Sequence, residues 1–385
     1  MSLDYMIVLP DLRGRGAERS AVLMARGLAE LGYTVELAVG HVTGALEDEV
    51  SSDVVLHELS GHGMLPSLLP LASRLRKRRP LILVSHLTHA NIVSVAAAAL
   101  AGHPGALLLV EHTVYSRRQP GLYGRVMALA AAPCYRRASK VVAVSHSVAF
   151  DLSRALRLDE RAIAVVPNPI DLDRVRSLAS EPLVGAPRPF ILAVGSLELE
   201  KGYDALVRAF SRVTDAPDST LVILGEGSQR GALIGAARDA GCAHRVRLPG
   251  YDANPYRWMG HAEALVIASE FEGLPTVALE AAYLGTRVIA VDGGYGLADA
   301  LAGVPGIEIV AASGDDGLKR VLTSALSRRS AGPLEATALD GAALDESVAP
   351  DREPQSSRLV DVSPLGRYDL LEVARSFARV ARSSS

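Results

Sequence analysis

Ser269-Glu270-Phe271-Glu272-Gly273-Leu274-Pro275-Thr276-Val277-Ala278-Leu279-Glu280-Ala281-Ala282-Tyr283-Leu284-Gly285 is the stretch whose reading decides the fold. It follows the strand-like run Ala264–Ala268 and precedes another, Thr286–Val291. Between them the apolar period changes from strand to helix, and Gly273 and Pro275 mark the turn and the helix start. A helix beginning near Pro275 turns its free N–H groups and positive dipole end toward the loop. Such an anion seat is worth about 0.3–1 kcal/mol when exposed and ~2 when partly buried. Thr276 and Glu280 share one helix face, and Glu272 stands on the loop ahead of them. Two carboxylates around a phosphate seat suit a nucleotide-sugar, which needs acceptors for sugar and ribose hydroxyls and donors for a diphosphate. An ordinary strand–turn–helix with two solvated carboxylates fits the same letters.

Working outward, strand-like and helical runs alternate almost throughout, as in parallel sheets with helices on both faces. At 385 residues two domains are expected. Hydrophobic residues at 49% and charged ones at 22% indicate a globular protein with sizeable cores. A net charge of −3 argues against general nucleic-acid binding. Cys134 and Cys242 stand far apart without metal-ligand spacing, which suits free thiols in a reducing, cytoplasmic setting. Asn91–Val110 is the longest near-apolar run, and His103-Pro104-Gly105 breaks it into helix, turn and strand rather than a membrane span. Met1-Ser2-Leu3 runs into Asp4 without a basic region, so no signal peptide is expected.

The first strand, Tyr5–Leu9, opens into a loop carrying Arg13, Gly14, Arg15, Gly16 and Arg19, then a helix to about Leu31 capped by Gly32. A glycine loop between a first strand and a first helix lets a ligand approach the backbone. Further strands are predicted near Val35–Val39, Val54–Leu59 and Leu81–Val84. Ahead of the last lie Arg74, Arg76, Lys77, Arg78 and Arg79, either a solvated helix end or a patch for anionic lipid headgroups. His86, His89 and His112 follow strand ends, where ligands of open α/β sheets sit. No supporting acidic cluster argues for a metal there. Asp171-Leu172-Asp173 is formally D-x-D, but at a helix start N-capping is the better account. Residues 177–189 read as a linker, and Trp258 as core packing.

Glu272-x7-Glu280 with Gly-Leu-Pro-Thr inside resembles the donor site of retaining glycosyltransferases of the GT-B fold, family 4. The resemblance implies two Rossmann-like α/β domains facing across a cleft. Their expected bounds are an acceptor-side domain over 1–180, a nucleotide-sugar domain over 181–360, and a last helix in 361–385 crossing back to the first. It implies Glu272 at the donor sugar, Glu280 at the ribose, and the Gly273, Leu274, Pro275 and Thr276 backbone at the diphosphate. Gly16 matches the second glycine of the family's first loop, with Arg15 in place of the first. Glu111-His112-Thr113 resembles the family's interdomain histidine, and Val246–Tyr251 the segment whose Gly250 and Tyr251 flank the nucleobase. Gly195-Ser196-Leu197-Glu198-Leu199-Glu200-Lys201-Gly202 keeps the family's diphosphate lysine at Lys201. Ser196 replaces its arginine, which Arg13, Arg15 or Arg19 could replace from the facing loop.

Carried over, Glu272, His112 and Lys201 are the catalytic set; Arg15 and Arg19 are placed on the acceptor side, and so are His86 and His89, for which a structural role fits equally well. The implied reaction moves a hexosyl or N-acetylhexosaminyl group to a hydroxyl of a lipid-linked or polysaccharide acceptor, without cofactor or metal. Whether the donor carries UDP or GDP is open. Peripheral contact with the inner membrane face through 74–79 is part of this expectation. A nucleotide-sugar epimerase of the same fold and a non-catalytic nucleotide-sugar-binding protein are the rival readings. Residues 330–354 read as a long mobile loop or a degenerate end of the second domain, and Leu365–Arg382 as the last helix.

Overall fold

The computed structural model describes residues 3–118, 128–129, 131–292, 297–310, 314–327 and 365–384. Residues 119–127, 130, 293–296 and the 330–354 segment therefore lie outside the described residues.

Seven parallel strands form the first sheet: β1 Tyr5–Asp11, β2 Val35–His41, β3 Val54–Glu58, β4 Ile82–His86, β5 Ala106–Glu111, β6 Lys140–Ala143 and β7 Ile163–Val165. Their order is β3-β2-β1-β4-β5-β6-β7. Six more form the second: β8 Phe190–Val194, β9 Thr220–Leu224, β10 Val246–Gly250, β11 Ala264–Ile267, β12 Val288–Val291 and β13 Ile307–Val310. These run in the order β10-β9-β8-β11-β12-β13. Both sheets are doubly wound, so strand order reverses between β1 and β4 and between β8 and β11. Ligand crevices form beyond the strand ends at such reversals.

The strands are apolar on both faces because helices cover both. Tyr5, Ile7 and Leu9 point into one core, Met6 and Val8 into the other. On the first face lie α1 (Gly16–Glu30) and the last helix; on the second lie α2 (Leu68–Arg78), α3 (Thr88–Ala101) and, after the short α4 (Tyr115–Arg118), α5 (His146–Leu156). Ser145 caps α5 by accepting from the Val148 N–H. Asp171 caps α6 (Leu172–Ala179) by accepting from Arg174, and pairs with Arg26 at 2.6 Å, so capping accounts for the D-x-D spacing. Helix α6 runs to Ala179. The expected linker thus loses its first three residues to a helix.

Around the second sheet come α7 (Tyr203–Ser211), α8 (Arg230–Asp239), α9 (Tyr256–Met259), α10 (Thr276–Tyr283), α11 (Leu297–Leu301) and α12 (Gly314–Ser327). Trp258 meets Phe190 edge-on at 5.9 Å and donates its indole N–H to Asp252. That is a packing role. The last helix, α13 (Leu370–Arg382), returns to the first sheet, burying Val373, Ala374, Phe377 and Ala381 beside Leu28 and Ile7. Gly27 makes the contact close: a Cβ there would stand 2.9 Å from Ala374 Cβ.

The basic run is not a uniformly solvated helix end. Arg74 grips Glu36 through Nε and Nη2 at 2.7 and 3.0 Å, and Arg78 Nε reaches the same carboxylate at 2.9 Å. Glu36 lies on β2 at 0% exposure, so two of the five cations neutralise a buried charge. Arg76, Lys77 and Arg79 remain exposed.

Candidate active site

The loops that leave β8 and β11 flank the reversal point of the second sheet, and they hold the charged groups. After β8, Glu198 to Lys201 curls into a single turn and Gly202 takes φ +64 before α7. A side chain at Gly202 would strike the Ala268 carbonyl at 2.2 Å, so this loop packs directly on the one after β11. That contact brings Lys201 to Glu272: Nζ donates to Oε1 at 2.5 Å. Ser269 Oγ donates to the same oxygen at 2.7 Å. Helix α10 starts at Thr276, as its sequence requires, with Pro275 as N-cap in extended conformation. One turn on, Glu280 is buried against Tyr256, whose hydroxyl donates to it at 3.4 Å. Burial pushes its carboxyl up to about 7, against the pull of Arg19 and the Tyr256 hydrogen bond.

The seam between the sheets is tightest at Gly273. A Cβ there would meet the His112 carbonyl oxygen at 1.9 Å and Val144 Cγ2 at 3.2 Å. Only glycine allows the β11 loop to touch the end of β5 so closely. His112 thus stands beside the Glu272 loop, but both its ring nitrogens have protein partners. Asn168 Oδ1 accepts from Ser20 Oγ at 2.8 Å and faces His112 Nδ1 at 3.1 Å. An acceptor at that position requires the proton on Nδ1, leaving Nε2 to accept from His86 Nδ1 at 2.9 Å. Burial, then the neighbouring His112, holds His86 well below the usual histidine range.

His86 is 1% exposed, so burial removes it from contact with an acceptor. Arg19 is likewise committed, to Glu49 at 3.1 Å and toward Tyr256 at 3.5 Å, and lies on the Glu280 side of the seam. His89 is exposed on the first turn of α3, and Arg15 is exposed at the start of α1 beside Gly16. Arg15 faces Glu198: the Ser228 hydroxyl and N–H hold that carboxyl below its usual range, and Arg15 adds to the effect. Arg13 turns to Asp11 instead. Tyr251 reaches across to the same loop, its hydroxyl 3.6 Å from where a Gly14 Cβ would stand. Gly250 accepts from the Gly225 N–H at 2.8 Å, which places the end of β10 against the turn after β9.

The structure therefore gathers Gly16, Arg15, Ser196, Lys201, Gly250, Tyr251, Glu272 to Thr276 and Glu280 around one seam. Asn168 joins them, and so do Ser20, Tyr256 and Glu49, the last three without a signal in the sequence, being ordinary polar letters far apart in the chain. Beside the seam, a cavity of about 870 Å³ runs between α5, α11 and α13, with Phe150, Glu160, Leu274, Asp299, Arg367 and Glu372 in its wall. Among the described residues it borders the cluster through Leu274, Pro167 and the end of β6. No group of three or more His, Cys, Asp or Glu placed to hold a metal occurs among the described residues.

Comparison with known proteins covers most of the chain. The family described as Glycosyltransferase Family 4 matches residues 14–174, and that described as Glycosyl transferases group 1 matches residues 180–329. An uncharacterized glycosyltransferase of Methanocaldococcus jannaschii is 26% identical over 57% of this chain and 57% of its own length. The N-acetylgalactosamine-N,N'-diacetylbacillosaminyl-diphospho-undecaprenol 4-alpha-N-acetylgalactosaminyltransferase of Campylobacter jejuni is 31% identical over 41% of this chain and 42% of its own. These matches span about half the length of the relatives. Among solved structures, Anabaena HepE in complex with UDP-glucose superposes with a TM-score of 0.77 at 16% identity, over 99% of this chain and 100% of that one. A glycosyltransferase from Rickettsia africae gives 0.74 at 16% identity, over 100% and 98%. At such identities the likeness is one of fold.

Proposed function

The chain belongs to the group 1 glycosyltransferases of family 4, with the GT-B fold, and from that premise we propose that it transfers a hexosyl or N-acetylhexosaminyl group from a UDP-sugar to an acceptor hydroxyl. The observation that carries the reading is the meeting of Lys201, Glu272 and the α10 N-terminus at the β8–β11 reversal, facing the loop after β1. UDP is favoured over GDP by the fold neighbours solved with UDP and UDP-glucose. A polyprenyl-diphosphate-linked glycan is the favoured acceptor class, from the Campylobacter relative's name.

In this reading Glu272 accepts from sugar hydroxyls, Glu280 from ribose hydroxyls, and Gly250 and Tyr251 border the base. Lys201, the α10 N–H groups and the Gly16 loop stabilise negative charge growing on the departing diphosphate. Arg15, across from Glu198, supplies the second cation in place of Ser196. The acceptor oxygen bonds to the anomeric carbon as the bond to the diphosphate breaks, and the hydroxyl proton passes to that diphosphate on the same face. Configuration is thereby retained and no metal is called on, because lysine and backbone dipoles carry the charge. Closure of the two domains limits hydrolysis by excluding water.

No helix among the described residues is long and apolar enough to cross a membrane. The reading places contact with a bilayer, through the exposed Arg76, Lys77 and Arg79, at its periphery on the cytoplasmic face. The test incubates isotope-labelled UDP-hexose and UDP-N-acetylhexosamine with the protein, with and without a membrane lipid extract. Label entering lipid supports transfer. Epimerised donor without acceptor supports the isomerase, and binding without turnover supports a non-catalytic role.

A further inference from the structure

A second charged cluster crosses the seam away from Lys201. Arg19, on the first turn of α1, donates to Glu49 Oε1 at 3.1 Å, and its Nη1 stands 3.5 Å from the Tyr256 hydroxyl. Glu49 also takes Arg174 of α6 at 3.4 Å. The Tyr256 hydroxyl in turn donates to Glu280 at 3.4 Å. A continuous polar chain, Glu49–Arg19–Tyr256–Glu280, thus links the first sheet's helices to the second's. Its members are largely dry: the Arg19 side chain is 17% exposed and Glu280 7%.

A carboxylate at that depth needs a counter-charge to remain ionised. The charged groups facing it are Arg19 and Glu49, both from the first domain, while α9 offers only the Tyr256 phenol. From α6, Arg174 faces Tyr256, whereas Asp173 and Arg176 face Tyr283. The cation that serves Glu280 therefore comes from the opposite domain.

We infer that Arg19 is a positioning residue: it carries first-domain charge to the carboxylate that receives the ribose, so that donor affinity depends on the two domains standing together. This rests on the reading of Glu280 given above. Ribose hydroxyls donate to Glu280, so binding needs the ionised form. Arg19 favours that form and Glu49, of like charge, opposes it.

The experiment measures UDP affinity by calorimetry between pH 5.5 and 8.5 on the full chain. The variants are Arg19→Met, Arg19→Lys, Glu49→Gln and Glu280→Gln, with melting followed in parallel. Wild-type affinity falls as the pH drops through the Glu280 titration. Arg19→Met moves the midpoint of the profile up by about half a unit or more and so weakens UDP binding ~2-fold or more at pH 7. Arg19→Lys restores most of both, and Glu49→Gln moves the midpoint down. Unshifted midpoints in Arg19→Met and Glu49→Gln overturn the inference. So does a lysine variant no better than methionine. If Arg19→Met does not fold, the opposite displacement in Glu49→Gln decides. Glu280→Gln tests the premise separately: UDP bound as tightly as by wild type removes Glu280 from the ribose, whatever Arg19 does.

Discussion

Glu272 is held from two directions, by the Lys201 ammonium and the Ser269 hydroxyl, and its side chain is 17% exposed. A donor that engages both residues must exchange this pair for contacts of its own: Lys201 toward phosphate, Glu272 toward sugar hydroxyls. Glu272→Gln keeps the shape and removes the charge. It is expected to lower turnover at least ~100-fold, the scale of one lost preorganised contact, in the labelled-donor assay. Lys201→Ala is expected to weaken UDP binding ~10-fold or more while leaving uridine affinity unchanged, read by calorimetry. Equal losses for UDP and uridine would place Lys201 away from the diphosphate. Both letters stood out in the sequence, because Glu-x7-Glu and Lys-Gly sit at strand–helix turns. Their pairing did not. It joins residues 71 apart, and only the reversal of strand order between β8 and β11 makes them neighbours. The burial of His86 has a similar cause. Strand-end position is visible in a sequence, but the Asn168–His112–His86 chain that buries the ring is not.

The elements themselves were legible, since short apolar runs of three to seven residues alternate with amphipathic helices and are punctuated by glycine. What escaped was pairing across the sheet. The basic run on α2 looks like free surface until Glu36, 38 residues upstream, is seen beneath it. Helix α13 shows how much one element can carry. Phe377 is 1% exposed within a core shared with β1 and α1, so Phe377→Ala should cost about 3–5 kcal/mol in urea unfolding. A loss under ~1 kcal/mol would mean that the helix does not dock in solution as it does here. Gly273→Ala tests the seam in another way. Its methyl group cannot fit against the His112 carbonyl without parting the loops, so turnover should fall more than stability.

For the molecule as a whole, the Glu36 capture narrows the bilayer contact proposed for the 74–79 run to Arg76, Lys77 and Arg79, with exposed Leu81 and Leu100 nearby. Reversing Lys77 and Arg79 to Glu should cut co-sedimentation with phosphatidylglycerol vesicles by ~10-fold or more, at about 1 kcal/mol per basic residue near an anionic surface. Unchanged sedimentation would move the contact elsewhere. The return of α13 also bears on how the protein is made. Ile7, Leu28 and Phe377 close one apolar layer, so a polypeptide emerging from the ribosome exposes that layer until residues 370–382 have followed. The packing of the first sheet is therefore completed only after the second sheet has had time to collapse, and a nascent chain stalled before Leu370 is the species a chaperone should hold.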